Sequence, residues 1–197
     1  MKIACMIPAR MGSSRISKKN IRLLGGLPLI SHAIKAAVNS GCFDDIYVNS
    51  ESEVLGEIAD KEGVLFYKRP DYLSSDEATN DDFTEDFLKN IECDLLIQLL
   101  PTSPFIKASD IIKFVSTMVS KKFDTLVSVK NEKIECIYNN GAINFDQKRP
   151  SPPSQLLKPI KVYACGLMGW RRSNYLKNMK SYGCGYHGGS GKIGFFT

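Results

Sequence analysis

The 197 residues are enough for one domain with a substantial core, and 43% hydrophobic with 24% charged residues is ordinary for a globular chain. No apolar run approaches the ~20 residues of a spanning helix, and the N-terminus lacks the apolar stretch of a signal peptide, so a cytoplasmic, non-membrane protein is expected. The net charge of +5 is gathered late: Asp146 is the last acidic residue, and Lys148, Arg149, Lys158, Lys161, Arg171, Arg172, Lys177, Lys180 and Lys192 follow it. An anionic sugar or nucleotide would suit such a distribution, as would a nucleic acid. The aromatics are not arranged beside the basic residues as stacking platforms, which argues against nucleic acid.

Residues 2–8 read as a buried first strand. Directly after it, within IPARMGSSRISKKNIRLL (7–24), come Arg10, Arg15, Lys18, Lys19 and Arg22 with no acidic residue among them. Gly12, Ser13 and Ser14 lie in the middle. A Gly/Ser turn after a strand exposes consecutive backbone N–H groups, and flanking cations add charge-assisted hydrogen bonds. A phosphorylated ligand, a nucleoside triphosphate first of all, fits there. The bland alternative is a solvated basic loop. Its position at the carboxyl end of the first strand, where open α/β sheets bind ligands, favours the ligand.

Residues 28–40 place Leu29, Ile30, Ala33, Ile34, Ala37 and Val38 at helical spacing, with Gly41 set to end the helix. A strand at 46–49 and an amphipathic helix at 53–61, with Ser52 as its N-cap, come next. A third strand at 64–68 runs into RPDYLSSD, where Arg69 and Asp76 flank Ser74-Ser75. This segment reads equally as a capped helix start or as a contact for base, ribose or sugar. A helix at 81–91 leads to DLLIQLL (94–100), a near-continuous apolar run typical of a central parallel strand. Pro101-Thr102-Ser103-Pro104 must then be loop. A helix at 109–120 and a strand at 125–129 complete an alternation that predicts an α/β layer fold with a mostly parallel sheet.

From 130 to 159 the periodicity breaks. Asn139-Asn140-Gly141 signals a hairpin, and Pro150, Pro152, Pro153 and Pro159 forbid regular helix, so a functional loop or arm is expected. Strand character returns at 160–170, with a short helix at 172–179. Gly189-Ser190-Gly191-Lys192-Ile193-Gly194 matches GxGxxG by letter only: no clear strand precedes it, no helix has room to follow, and no acidic residue lies downstream. The six cysteines form no CxxC pair and have no histidine at zinc spacing, so they read as reduced, structural thiols. His32 and His187 are the only histidines, and no Ser/His/Asp or Cys/His set can be assembled, which disfavours nucleophilic hydrolysis. Phosphoryl and nucleotidyl transfer need no protein nucleophile; positioning, cationic side chains and a metal ion can carry most of the catalysis.

Three motifs together resemble the cytidylyltransferases that activate acidic sugars, the acylneuraminate (CMP-sialic acid) synthetases. They are IPAR–GSS–KKNIR–LGGLPLI (7–30), KRPDYLSSDEAT (68–79) and LLPTSPF (99–105), in the family's order and spacing. The resemblance implies one Rossmann-like, GT-A-like nucleotidyltransferase domain over 1–197, three-layered with a mostly parallel sheet. It implies CMP transfer from CTP to the anomeric hydroxyl of a nonulosonic acid, with Mg²⁺ assisting and pyrophosphate leaving. It also implies a homodimer joined through an arm at 130–160. By position, Arg10 and Lys19 would be catalytic, and Ala9, Arg10, Gly12, Ser13, Ser14, Arg15, Lys19, Asn20, Arg69 and Asp76 would bind the nucleotide. Leu100, Thr102 and Ser103 would meet the sugar.

The departures fall mostly on the sugar side. Ser14 stands for a lysine, Leu100 for a glutamine, Cys165-Gly166 for an Asn-Gly pair, and Gln155 for an arginine in the arm. The family's late metal-binding aspartate pair has no counterpart after Asp146, so the metal ligands are unassigned and a C-terminal segment is expected to be missing. Two further readings stand beside the first: a nucleotidyltransferase for another nucleotide or acceptor, and a catalytically impaired nucleotide-binding protein.

Overall fold

In the computed structural model, residues 1–12, 16–182 and 191–197 are described. Strand β1 (Ile3–Pro8) is buried on both faces, as its unbroken apolar sequence requires. A one-turn 3-10 helix (Lys19–Ile21) and a small hairpin, β2 (Leu23–Leu24) with β3 (Leu27–Pro28), lead into α1 (Leu29–Ser40). Gly41 ends α1 in the left-handed conformation at φ 61°, donating its N–H to Val38. β4 (Asp45–Ser50), α2 (Glu53–Lys61) and β5 (Leu65–Lys68) follow, then a 3-10 turn (Asp71–Ser74) and α3 (Asn80–Asn90). Ser52 occupies the N-cap of α2 but makes no side-chain cap bond. The working cap is on α3, where Thr79 and Asp82 form a reciprocal capping box.

The second half comprises β6 (Leu95–Leu99), α4 (Ala108–Ser120), β7 (Thr125–Glu132), the short hairpin β8 (Ile137–Tyr138) and β9 (Gly141–Ala142), β10 (Ile160–Arg171), α5 (Arg172–Tyr182) and β11 (Ile193–Phe196). Asn139 and Asn140 both have positive φ, 47° and 63°, as the tight hairpin predicted from Asn-Asn-Gly demands. The main sheet has seven strands in the order β11-β7-β10-β6-β1-β4-β5. All pair in parallel except β10, which is antiparallel to both β6 and β7.

The alternation along β1 separates two cores. Cys5 and Ile7 face α1, α2 and α4, packing with Ile34, Leu55, Ile97 and Phe114. Ala4 and Met6 face α3 and α5, packing with Phe87, Leu96, Met168 and Trp170. The result is the three-layer arrangement expected from the sequence. Phe87 seats α3, meeting the rings of Tyr47 and Tyr67 edge-on at 5.3 and 5.1 Å, contacts worth about 1 kcal/mol each.

On the other face α4 lies so close to β10 that a Cβ on Gly169 would stand 2.6 Å from Met118 Sδ, 2.9 Å from Ile97 Cδ1 and 3.1 Å from Phe114 Cε1. Gly169→Val is therefore expected to overpack this core and cost roughly 2–3 kcal/mol, read as a lowered urea midpoint.

The 130–160 segment is more ordered at its base than its sequence implies. Ile160, Lys161 and Val162 pair with Glu132, Asn131 and Lys130, so β7 and β10 run out into it as an antiparallel ladder. Its far part carries exposed Ile134, Ile137, Tyr138, Ile143 and Leu156. β11 was not foreseen: it pairs parallel to β7 and closes that side of the sheet. The GxGxxG letters thus end in a strand, while Gly189 and Ser190 lie outside the described residues, as do His187 and Cys184. Cys5, Cys42, Cys93 and Cys136 are free thiols. Burial pushes the Cys93 thiol up to about 11 and Cys5 higher still, which keeps both unreactive.

Candidate functional site

After β1 the chain moves outward through β4 to β5, then returns to lay β6 on the other side of β1. That reversal opens a crevice between the carboxyl ends of β1 and β6, the place where open α/β sheets bind ligands. A pocket of about 200 Å³ sits there, lined by Pro8, Ala9, Arg10, Lys19, Asn20, Arg69, Phe83, Leu100, Pro101 and Thr102. Seven of the residues singled out from the sequence meet in it: Ala9, Arg10, Lys19, Asn20, Arg69, Leu100 and Thr102. A larger cleft of about 390 Å³ lies beside α3, but Glu77, Asp82, Glu85 and Asp86 line it and would repel a polyphosphate.

Each residue reaches the pocket for a local reason. Arg69 N–H donates to Ser50 O at 3.1 Å, extending the β4–β5 ladder by one residue. Pro70 restricts Arg69 to extended backbone, which turns its side chain back over β1. There the guanidinium is 3% exposed. Its Nε donates to Ser74 Oγ at 2.8 Å and its Nη2 to Ala9 O at 3.1 Å. Its plane lies over Phe83, 5.0 Å from the ring centre.

Asn20 is buried, and its amide donates to Arg10 O at 2.9 Å. Lys19 starts the 3-10 turn immediately after Lys18, which is held left-handed at φ 50°. That strained placement in a residue with a side chain is typical of ligand-binding loops. The Arg10 guanidinium is turned toward the Asp71–Ser74 turn: Nη1 donates to the carbonyls of Ser74 and Ser75 at 3.1 and 2.7 Å, and Nη2 pairs with Asp76 at 2.7 Å. Asp76 thus joins the site through Arg10 rather than by lining the pocket.

Two more of the singled-out residues, Gly12 and Ser103, stand apart from the pocket lining. Gly12 is exposed on the loop, with no described atom within 4 Å of where a Cβ would be. Ser103 packs on the bulge of β10, its Oγ 3.2 Å from the Cβ position of Gly166. Ser13, Ser14 and Arg15 lie outside the described residues. Cys165 stands on the same bulge at φ 53°. His32 bonds through Nε2 to Leu24 O at 2.8 Å.

Glu51 was missed. Its Oε1 accepts Met11 N–H at 2.8 Å, and its Oε2 accepts the hydroxyls of Ser74 at 2.8 Å and Ser50 at 3.2 Å. The same oxygen stands 3.6 Å from Arg69 Nη2. Burial pushes this carboxyl up, but the donated hydrogen bonds and the Arg69 charge outweigh it, so Glu51 titrates below the ordinary range. The only signal in the sequence was an acid at the carboxyl end of a strand next to the first. Phe83 was missed as well, and nothing in its helix marks it for stacking.

Among the described residues no three His, Cys, Asp or Glu side chains group as a metal cage. No described helix is long and apolar enough to cross a membrane.

Comparison with known proteins converges on one group. A family model described as cytidylyltransferase matches residues 4–152. The chain is 40% identical over 131 residues to an N-acylneuraminate cytidylyltransferase of Streptococcus agalactiae, covering 65% of this chain and 32% of that protein. An N-acylneuraminate cytidylyltransferase of Escherichia coli is 34% identical over 166 residues, 83% of this chain and 35% of the relative. The chain thus spans about a third of the length of these relatives. A CMP-N,N'-diacetyllegionaminic acid synthase of Legionella pneumophila is 37% identical over 117 residues, 56% of this chain and 50% of the other. In fold, the chain resembles a CMP:2-keto-3-deoxy-manno-octonic acid synthetase complexed with CTP, at TM-score 0.70 and 19% identity over 91% of this chain and 78% of that one.

Proposed function

The chain belongs to the cytidylyltransferase family, and from that premise we propose that it transfers CMP from CTP to the anomeric hydroxyl of an acidic nonulosonic sugar. The observation that carries this reading is the convergence of Ala9–Arg10, Lys19–Asn20 and Arg69 on one pocket at the carboxyl ends of β1 and β6. The anomeric oxygen bonds to the α-phosphorus while the bond to the β-phosphate bridge breaks; pyrophosphate leaves and the hydroxyl proton passes to solvent. Arg10 and Lys19 stand where negative charge grows on the phosphates. The backbone around Gly12, Ser13, Ser14 and Arg15 adds N–H donors, Asn20 and Arg69 frame the cytidine, and Asp76 shapes the same side. Leu100 and Thr102 face the acceptor, and Ser103, packed on the β10 bulge, supports their loop. Mg²⁺ belongs to this reading as a companion of the triphosphate.

The same proposal includes a homodimer built through the 130–160 arm. It is supported by the exposure of Ile137, Tyr138 and Leu156, at 60%, 71% and 74%, on a segment projecting from the sheet. A cytoplasmic setting is supported by the free thiols of Cys5, Cys42, Cys93 and Cys136.

Pyrophosphate release with Mg²⁺, CTP and a panel of nonulosonic acids tests the function, run on this chain and on the product of the whole gene. At least one acid should support release, with CTP preferred at least tenfold over UTP, ATP and GTP. No CTP binding by calorimetry overturns the proposal. Tight CTP binding with no release by either protein replaces it with a nucleotide binder that has lost catalysis.

A further inference from the structure

Glu51 lies outside every motif that carries the family resemblance, yet it joins the loop after β1, the turn after β5 and Arg69. One oxygen takes the Met11 N–H of the loop after β1 at 2.8 Å. The other takes Ser74 Oγ, at 2.8 Å, from the turn after β5. Ser74 Oγ is in turn the acceptor for Arg69 Nε at 2.8 Å, and Arg69 Nη2 stands 3.6 Å from the carboxylate. Glu51, Ser74 and Arg69 therefore close a ring that ties together the ends of β1, β4 and β5. The Arg69 side chain is 3% exposed and that of Glu51 is 18% exposed, so water screens the pair weakly.

We propose that Glu51 is a positioning residue of the nucleotide pocket: it fixes the β1 loop against the Asp71–Ser74 turn and cancels the charge of Arg69, so that Arg69 frames the base end as a donor while anions are drawn to the basic loop. The proposal rests on the nucleotide reading of this pocket. A buried guanidinium with no carboxylate beside it would be the strongest anion site in the crevice. It would compete with Arg10 and Lys19 for the polyphosphate and seat the ligand out of line for in-line attack. Glu51 keeps that from happening.

Glu51→Gln keeps the shape and one of the two acceptor oxygens, and removes the charge; the other oxygen, which accepts either from Met11 or from Ser74 and Ser50, becomes an amide donor. Inorganic pyrophosphate, titrated by calorimetry, is expected to bind this variant at least fivefold more tightly than wild type, while kcat with CTP falls about tenfold. Glu51→Asp, which retains the charge, should leave pyrophosphate affinity at the wild-type value. Ser74→Ala, which breaks the ring but not the ion pair, should lower kcat without tightening pyrophosphate. Unchanged or weaker pyrophosphate binding by folded Glu51→Gln overturns the inference, because a merely structural Glu51 would not move that affinity upward. If Glu51→Gln does not fold, the Glu51→Gln/Arg69→Gln double variant decides: folding supports charge cancellation, and failure overturns it. The pyrophosphate titration needs neither acceptor nor turnover. Wild-type protein that does not bind CTP would sink the functional reading and leave the anion comparison standing.

Discussion

On the proposed function, Lys19→Met is expected to lower turnover about 100- to 1000-fold, the usual cost of deleting one preorganised donor aimed at developing charge. The loss should fall mainly on kcat. Charge on the phosphates grows between the bound substrate and the transition state, so a cation aimed there is worth more in the transition state than in the ground state. KM for CTP should rise less, since in the proposed reading Arg10 also binds the triphosphate. Lys19→Arg should restore only part of the rate: the guanidinium fork is planar and wider than an ammonium and does not fit the same point. Lys19 opens a one-turn 3-10 helix at the pocket rim rather than a core element, so the urea midpoint should hardly move. Steady-state kinetics on a purified variant with an unchanged midpoint separates this from misfolding; a variant within threefold of wild-type kcat removes Lys19 from the catalytic residues.

What the chain disclosed about itself depended on how local each signal is. The helix at 53–61 and the end of α1 at Gly41 were readable because amphipathic spacing and a left-handed cap are written within a few consecutive residues. β6 was readable as a central strand because burial on both faces leaves a continuous apolar run. Strand direction has no such signature. Ile160 to Arg171 alternates in the same way whichever way its neighbours run, so the antiparallel placement of β10 between β6 and β7 came only with the structure. Ile193–Phe196 is four residues in glycine-rich sequence, too short for its period to register.

The site divides along the same line. The basic loop and Arg69 were visible because cations, glycine and proline act through backbone and charge near where they stand. Glu51 was not, because its meaning lies in partners 40, 23 and 18 residues away in sequence: Met11, Ser74 and Arg69.

Arg69→Met carries the largest expected cost in stability, and the reason is the carboxylate it leaves behind. Without the guanidinium, Glu51 keeps its hydrogen bonds from Met11, Ser74 and Ser50 but loses the only cation within ion-pair distance of it among the described residues. Ala9 O loses its donor as well. Breaking one partner of such a pair costs about 3 kcal/mol, a fall of roughly 1.5 M in urea midpoint for a domain of this size. CTP binding should disappear with it, because the base end of the pocket loses the frame held by Phe83 and the loop.

The deficit should depend on pH in a definite direction. In the wild type the Glu51 carboxyl titrates below its ordinary value, so its contribution is fully present above the unfolded-state value and is lost as pH falls through the folded one. In Arg69→Met that contribution is smaller throughout. The two stability curves should therefore lie furthest apart at neutral pH and converge on acidification below the ordinary carboxylate range. A gap that stays constant down to strong acid would mean that Arg69 stabilises the protein through packing on Phe83 rather than through its charge. The Arg69→Met/Glu51→Met double variant distinguishes the two causes at neutral pH. If the charge pair is the cause, removing both charges returns most of the lost midpoint without returning CTP binding; if packing is the cause, the midpoint stays low.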